Sequence, residues 1–460
     1  MLVSGILNGS DLEKTPVWGG HDQPWILLWS KNEKPDLETQ AFHLATPVRE
    51  DELARRGEFR LDYQSAYQVT VQSILDSSWL CKALAIGSTL DVQVMEKLCL
   101  AAASQSIGGF WDKCNLVSGN GFSLKNGNKS PPQWLLKLPV FETKEGMAES
   151  SLLQSQTFAE LYGSRKIESA RAEELYKCPL IVIPQALGPD RGVSTGYCFW
   201  NDNVCFSQSY FGYSAFGHDE YRLVMSLLNV LVHSSLFRHF CYMRSSRVGA
   251  SRRTFLKEDL DAFPFPHLSD LNKEQRTQAL ALSDMLETRQ TKDLQALDAF
   301  VGGLFGLSKA EQQVVADTVT FNGPYAVVRK QAMYAVPPDE AATFVRTLEQ
   351  AIQPFFKAVG QKVNAKLVPR LDGDWQQPWA FVTVLLDDDT WEPSKKLITS
   401  LIGEASASAA SRLVMPLPEG GLIIGLLNKR RFWTRSRARL CALHIAEEHL
   451  ERCFPLPERK

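Results

Sequence analysis

Arginine and lysine gather at two places in a chain whose charges otherwise balance. Arg244, Arg247, Arg252, Arg253 and Lys257 stand in a Ser- and Gly-containing segment with no acidic residue before Glu258. Guanidinium groups bind phosphates bidentately and also read guanine edges, so a basic loop beside a rigid helix suits a DNA contact. The alternative is a solvated loop whose charges pair with neighbouring carboxylates. The second cluster is Lys429, Arg430, Arg431, Arg435, Arg437 and Arg439, interleaved with Phe432 and Trp433. Cations alternating with stacking surfaces suit a nucleic-acid backbone or exposed bases. Positive charge at the start of a helix opening at Thr434 opposes the helix dipole, a cost that an external anion offsets. The plainer arrangement is a strand-to-helix corner with Trp433 in the core and the arginines as a solvated rim.

Other groups offer less chemistry. Asp387, Asp388 and Asp389 can hold a divalent cation, but an acidic run closing a strand also serves as a solvated turn. His233 and His239 are six apart, and His444 and His449 five apart, so neither pair has the i, i+4 spacing that puts two ligands on one helical face. All four read as structural or surface histidines. The nine cysteines contain no C-x-x-C pair and read as reduced, mostly buried thiols rather than a zinc site. No G-x-S-x-G elbow is present, and Gly119-Asn120-Gly121 lacks the strand and glycine spacing of a dinucleotide loop. No catalytic residue and no metal ligand is assigned.

The elements that must hold these residues follow from length and pattern. The 460 residues are enough for two or three domains with a sizeable core, and 50 Lys plus Arg against 52 Asp plus Glu exclude a uniformly basic nucleic-acid coat. No apolar stretch approaches the roughly 18 residues that span a bilayer. The start, Met1-Leu2-Val3-Ser4-Gly5-Ile6-Leu7, lacks the basic region and long apolar run of a secretory signal, so a cytoplasmic protein without a membrane partner is expected.

Four blocks are predicted in a mixed α+β chain. In residues 1–104, Pro24 to Trp29 reads as a strand buried on both faces, as in a parallel sheet, and Ser77 to Leu100 as helical. Residues 105–268 read as β-rich, with a strand at Leu180 to Ile183 and a hairpin of Tyr197 to Trp200 with Val204 to Phe206 across Asn201-Asp202-Asn203. A largely buried helix from Asp219 to Met243 follows, and Pro264-Phe265-Pro266 stops it. Residues 269–336 form a helical spacer, with a long helical stretch from Asn272 to about Leu304 and a capping-box pattern at Ser308 to Glu311. Residues 337–460 form a small α+β unit. Phe344, Leu348, Ile352, Phe355 and Val359 fall at helical spacing there, with Pro354 expected to kink or shorten the helix. Strands at Trp379 to Leu386 and Leu422 to Leu427 and a helix at Thr434 to Leu450 complete it.

Several words stand in a telling order: Cys178-Pro179-Leu180-Ile181-Val182-Ile183-Pro184, the hairpin to Ser209, the buried helix Leu227-Leu228-Asn229 to Ser234-Ser235-Leu236-Phe237, the basic loop, and Asp261-Ala262-Phe263-Pro264-Phe265-Pro266. This order resembles the target-recognition region of adenine-N6 DNA methyltransferases of restriction-modification and phage-defence systems. Leu297-Asp298-Ala299-Phe300 to Ser308 resembles the spacer after that region, and Arg431-Phe432-Trp433-Thr434-Arg435-Ser436-Arg437-Ala438-Arg439 a C-terminal motif found beside such enzymes. Val17-Trp18-Gly19-Gly20-His21, Gln23-Pro24-Trp25 and Lys31-Asn32 are similar to the last strands of the family's catalytic domain. The resemblance implies a remnant of an α/β methyltransferase sheet, a target-recognition domain, a helical spacer and a C-terminal α+β domain.

Two family elements are missing: the glycine-rich cofactor loop and the Asn/Asp-Pro-Pro-Tyr/Phe tetrapeptide that holds the adenine amino group. The Pro-Pro pairs, Ser130-Pro131-Pro132-Gln133 and Val336-Pro337-Pro338-Asp339, lack both the polar residue before and the aromatic after. Methyl transfer needs a flipped adenine, an oriented amino group and an in-line methyl sulfonium, so the chain by itself is expected to be inactive. The resemblance therefore implies the DNA-binding half of a split or truncated enzyme, with double-stranded DNA and a catalytic chain carrying S-adenosylmethionine as partners. DNA contacts are expected from Arg244, Arg247, Arg252, Arg253 and Lys257, with Lys429, Arg430, Arg431 and Arg435 as a second surface. The other reading is a non-enzymatic scaffold in a defence complex.

Overall fold

The computed structural model describes residues 2–460 apart from 14, 20–24, 38, 62–65, 142–152, 164, 189–195, 250–253, 289–293, 324, 358–359, 371–377, 388–390, 408–410, 418–419, 451–453 and 455–460. It is an α+β protein with four small sheets among the described residues. Two compact units divide the chain: Met1–Gln93 with Lys309–Lys460, and Val94–Ser308.

The first unit opens with strands β1 (Leu2–Asn8), β2 (Ile26–Lys31), β3 (Ala41–Ala45) and β4 (Ala66–Thr70), in the order β2-β1-β3-β4. β1 and β3 run parallel and the other two pairings are antiparallel. Phe42, Leu44 and Val69 project to one side and pack with Leu84. The buried parallel strand expected at Pro24 to Trp29 is not found among the described residues, which exclude Pro24. β2 is an antiparallel edge strand and leaves Ile26 63%, Leu28 50% and Trp29 51% exposed. A continuous apolar run reports β-propensity, and whether it is buried depends on neighbours that the run itself does not encode. The predicted Ser77 to Leu100 helix breaks into Leu80–Ile86 and Thr89–Ser104. The chain closes tightly at the break, where Ser88 Oγ donates to Asp91 Oδ2 at 2.8 Å and a Cβ on Gly87 would lie 2.5 Å from the Asp91 carboxyl.

The second unit carries β5 (Ser118–Asn120), β6 (Pro139–Phe141), β7 (Leu153–Thr157), β8 (Leu180–Pro184), β9 (Tyr197–Phe199), β10 (Cys205–Phe206) and β11 (Tyr210–Ser214). They form two sheets, β10-β6-β7 and β5-β11-β8-β9, with β8 buried between β11 and β9. Here the predicted hairpin fails: β9 pairs antiparallel with β8, whereas β10 pairs parallel with β6. Asn203 explains the divergence, because its Oδ1 accepts the Cys178 amide at 2.8 Å and ties the corner to the chain entering β8 instead of closing a two-strand turn. Phe122, Phe141, Phe158, Tyr176 and Phe206 fill the aromatic core beneath.

Leu223 to His233 are buried without exception, as the apolar circumference of that segment predicts. The helix does not run to Met243, however. It ends at His233, and a second helix, Ser235–Arg244, leaves at 64°. Ser234 makes the corner: its backbone is extended, its Oγ donates to Leu231 O at 2.7 Å and accepts from Phe237 N at 3.1 Å. A serine that satisfies an orphan amide at a helix start is a strong N-cap, and it outweighs continued helical periodicity. No single helix among the described residues is long and apolar enough to cross a membrane, and the bent pair that passes by length and composition together is buried inside this unit. Lys273–Thr288 and Gln295–Leu304 account for the predicted long helical stretch, with residues between them outside the described set.

The chain returns to the first unit through the Lys309–Phe321 helix and builds β12 (Val363–Leu367), β13 (Trp379–Leu386), β14 (Arg412–Pro416) and β15 (Leu422–Leu427). The sheet, β12-β13-β15-β14, is antiparallel throughout, and β13 and β15 coincide with the predicted strands. The Pro338–Lys357 helix packs Phe344, Leu348 and Ile352 into this core. Pro354 does not stop it. The apolar stripe passes to Phe356, one turn after Ile352, and Phe355 is 44% exposed. In the last turn a proline forfeits only one backbone bond before the helix ends anyway.

Candidate nucleic-acid interface

In the second unit the Ser235–Arg244 helix is anchored at its start and along one side. At its start Ser235 gives its amide to Asp298 Oδ1 at 2.7 Å and its hydroxyl to Asp298 Oδ2 at 2.9 Å, a carboxylate against the positive end of the helix dipole. The Ser234-Ser235 and Leu297-Asp298 words, far apart in sequence, thus meet in space. Along the helix Phe237 and Phe240 pack edge-on against Phe263 at 5.4 and 5.2 Å, and Phe265 lies 4.7 Å from Phe110. The Phe263-Pro264-Phe265 word is therefore core, and the Ile107 and Phe265 amides donate to Phe263 O and Gln105 O across it.

Arg244 occupies the last turn, where a cation is favoured by the dipole, with its guanidinium 5.8 Å from the Phe240 ring. Arg244 and Arg247 are both exposed, and neither pairs with a carboxylate among the described residues. The described residues next to them are held by the fold. Ser245 is buried, and its Oγ accepts the Arg247 amide at 3.3 Å. Val248 is buried too, Thr254 bridges Ala186 beyond the end of β8, and Phe255 donates its amide to Gln185 O at 2.9 Å. Arg252 and Arg253 lie outside the described residues.

Lys257 behaves differently from the two exposed arginines. Its Nζ pairs with Asp261 Oδ2 at 2.5 Å and sits 5.3 Å from the Tyr213 ring, while Tyr213 Oη donates to Asp261 Oδ1 at 2.6 Å. Burial, and after it the Asp261 carboxylate, push the Tyr213 phenol well above its ordinary pKa, so it stays protonated as the donor. Lys257 thus neutralises a carboxylate of its own fold. Sequence reasoning passed over Arg238, which is 1% exposed and donates from Nη1 to Gly188 O at 2.7 Å. Its one local signal is a cation inside an otherwise apolar stretch, and it holds the chain leaving β8 beside the basic loop.

The second cluster, in the first unit, is organised inward. Arg430 makes a bidentate pair with Glu340, Nε to Oε2 at 3.0 Å, and its guanidinium lies 5.2 Å from the Phe321 ring. Arg431 donates from Nη1 to Asp11 Oδ2 at 3.1 Å, and Arg329 approaches Asp11 Oδ1 at 3.5 Å. Burial pushes the Asp11 carboxyl up, but Arg431, Arg329 and the Arg49 amide together hold it below the usual carboxylate range. Burial likewise raises Glu50 against the opposing pull of Arg60 and of half-buried Lys429. Arg439 donates to Ala310 O at 2.9 Å, and exposed Arg435 to Gln313 Oε1 at 3.1 Å.

The aromatics between these cations are core as well. Trp433, 2% exposed, gives its indole N–H to Leu427 O at 2.9 Å and lies 4.9 Å from Phe344, and Phe432 is buried. Neither can stack on a base. The anion expected at the start of the helix is internal: Asp317 Oδ2 accepts from the Ser436 amide at 2.9 Å and its hydroxyl at 2.6 Å. Arg430 and Arg431 are accordingly structural, and the expected second surface reduces to Arg435 with part of Lys429. The acidic run at the end of β13 is also partly spent, since Asp387 Oδ1 accepts the Lys362 amide at 2.8 Å; Asp388 and Asp389 are outside the described residues.

No family model matches this chain, and no curated protein matches it. Among solved structures, the type IIG restriction endonuclease BpuSI is similar, with a TM-score of 0.31 and 10% identity over 70% of this chain and 44% of that one. The chain therefore spans less than half the length of that enzyme, and a likeness at this level transfers no residue role.

Proposed function

We propose that the chain binds duplex DNA through the acid-free segment after the Ser235–Arg244 helix, as the target-recognition part of a site-specific adenine-N6 DNA methyltransferase of restriction-modification or phage defence. S-adenosylmethionine binding and methyl transfer then belong to a separate catalytic half, and no residue of this chain is assigned to them. The observation that carries the reading is a pair of exposed arginines without carboxylate partners among the described residues, Arg244 at the end of the helix and Arg247 just beyond it, flanked by buried Ser245 and Val248. Pinned cations reach a phosphate backbone with less ordering cost than a free loop would. The order of strand, buried helices, basic segment and Phe-Pro-Phe-Pro, shared with the target-recognition regions that the sequence resembles, supports the identity of the partner.

Neutralising phosphates releases counterions, so binding weakens as salt rises, with a log–log slope of about −0.9 per phosphate contacted. We expect the full chain to bind a mixed-sequence duplex at low salt with such a slope, and Arg244→Ala with Arg247→Ala to flatten it by about two contacts. Arg430→Ala is the contrasting variant, expected to lower stability instead. A chain that binds no duplex at low salt, alone or with a catalytic partner, would leave only the scaffold reading.

A further inference from the structure

The geometry points to a divalent transition-metal site of the zinc class on the C-terminal helix of the first unit, formed by His444, Glu448 and His449. These residues lie far along the chain from the basic loop and take no part in the DNA reading. In a regular α-helix residues five apart face away from one another, which is why the two histidines look unrelated in sequence. The helix Arg435–His444 does not continue regularly: Ile445–His449 is a π turn. Its wider i, i+5 bonding brings His449 back beneath His444, and the rings meet edge-on with centroids 5.1 Å apart. Glu448 completes the group, its Oε2 being 2.8 Å from His444 Nε2.

One ligand atom from each of the three residues lies within 4.8 Å of the others. A tetrahedral zinc ion with ligands at 2.0–2.1 Å sets them about 3.3 Å apart, so small ring rotations close the group around an ion. The donor set also selects the metal. Two imidazoles and one carboxylate suit zinc or its first-row neighbours, whereas magnesium and calcium prefer oxygen alone. Burial is graded across the site, with His444 buried, His449 half-buried and Glu448 exposed. An ion therefore has a solvent-side entrance and an inner ligand fixed by the core, where Cys441 and Ile445 pack.

The π turn is the second observation. Such turns are rare and occur mostly as single-turn bulges at functional sites, and here the irregularity holds Glu448 and His449 and begins directly after His444. The site closes with one open coordination position.

The test uses the full chain, stripped with chelator and titrated with Zn2+ by calorimetry, and with Co2+ followed by visible absorption. We expect one equivalent of tetrahedral N/O-type binding, and at least a tenfold loss of affinity in both Glu448→Gln and His449→Ala. Both replaced side chains are solvent-accessible, so circular dichroism should show the fold retained. Cys441→Ser should bind as the parent does. Absence of stoichiometric binding in the parent, binding that survives the Glu448→Gln/His449→Ala double variant, or a cobalt–thiolate charge-transfer band would each overturn the site.

Discussion

His233 shows what burial does to a single ring. Its Nδ1–H donates to Asn229 O at 2.8 Å, and burial, reinforced by the Arg238 charge, lowers its pKa to about 4. The unfolded chain binds a proton on this side chain below about pH 6.5, and the folded chain does not. Between those two values the unfolded state holds more protons, so stability falls as pH drops from about 6.5 towards 4, by up to about 3 kcal/mol. Urea midpoints measured through that interval should show the slope, and His233→Gln should remove it. His233 was read, like the other three, as a structural or surface histidine, and its burial in the Leu223 to His233 run makes it structural. The meeting of His444 and His449 was not legible, since it depends on a π turn that no local pattern announces. The inward turn of Arg430 and Arg431 was equally hidden: Glu340 and Asp11 lie far away in sequence, and proximity to them is a property of the fold.

Among the elements, strands whose apolar positions are buried by immediate neighbours were read correctly. β13 and β15 coincide with their predicted spans because each is a buried apolar run of ordinary strand length in the interior of an antiparallel sheet. Elements decided by one polar side chain were missed. Ser234 divides the predicted helix, and Asn203 draws β9 and β10 into different sheets. Ser234→Ala should cost about 1–2 kcal/mol in a denaturation series, because it strips the cap from a buried helix start. The short helical turn Ser10–Leu12 supplies another such joint, its Asp11 held between Arg431 and Arg329. Asp11→Asn leaves two guanidinium groups without their shared counter-charge, and we expect a loss of about 3–5 kcal/mol in the unfolding free energy from a denaturation series. A control substitution at exposed Arg435 should leave that free energy within about 0.5 kcal/mol.

For the whole molecule, the α+β class followed from mixed periodicities, whereas the grouping of Met1–Gln93 with Lys309–Lys460 did not. Long-range grouping is set by contacts such as Arg431 with Asp11, which composition and spacing do not carry. The exposed edge at β2 has a practical outcome for anyone handling the protein. A strand that presents Ile26, Leu28 and Trp29 to solvent along an open sheet edge, with Lys31 at its end as the charged residue, is a template for unwanted strand addition. Concentrated samples should scatter light increasingly with time, and Leu28→Lys should keep them clear and monodisperse by introducing a charge midway along the strand. The same six residues would then govern shelf life more than any part of the core.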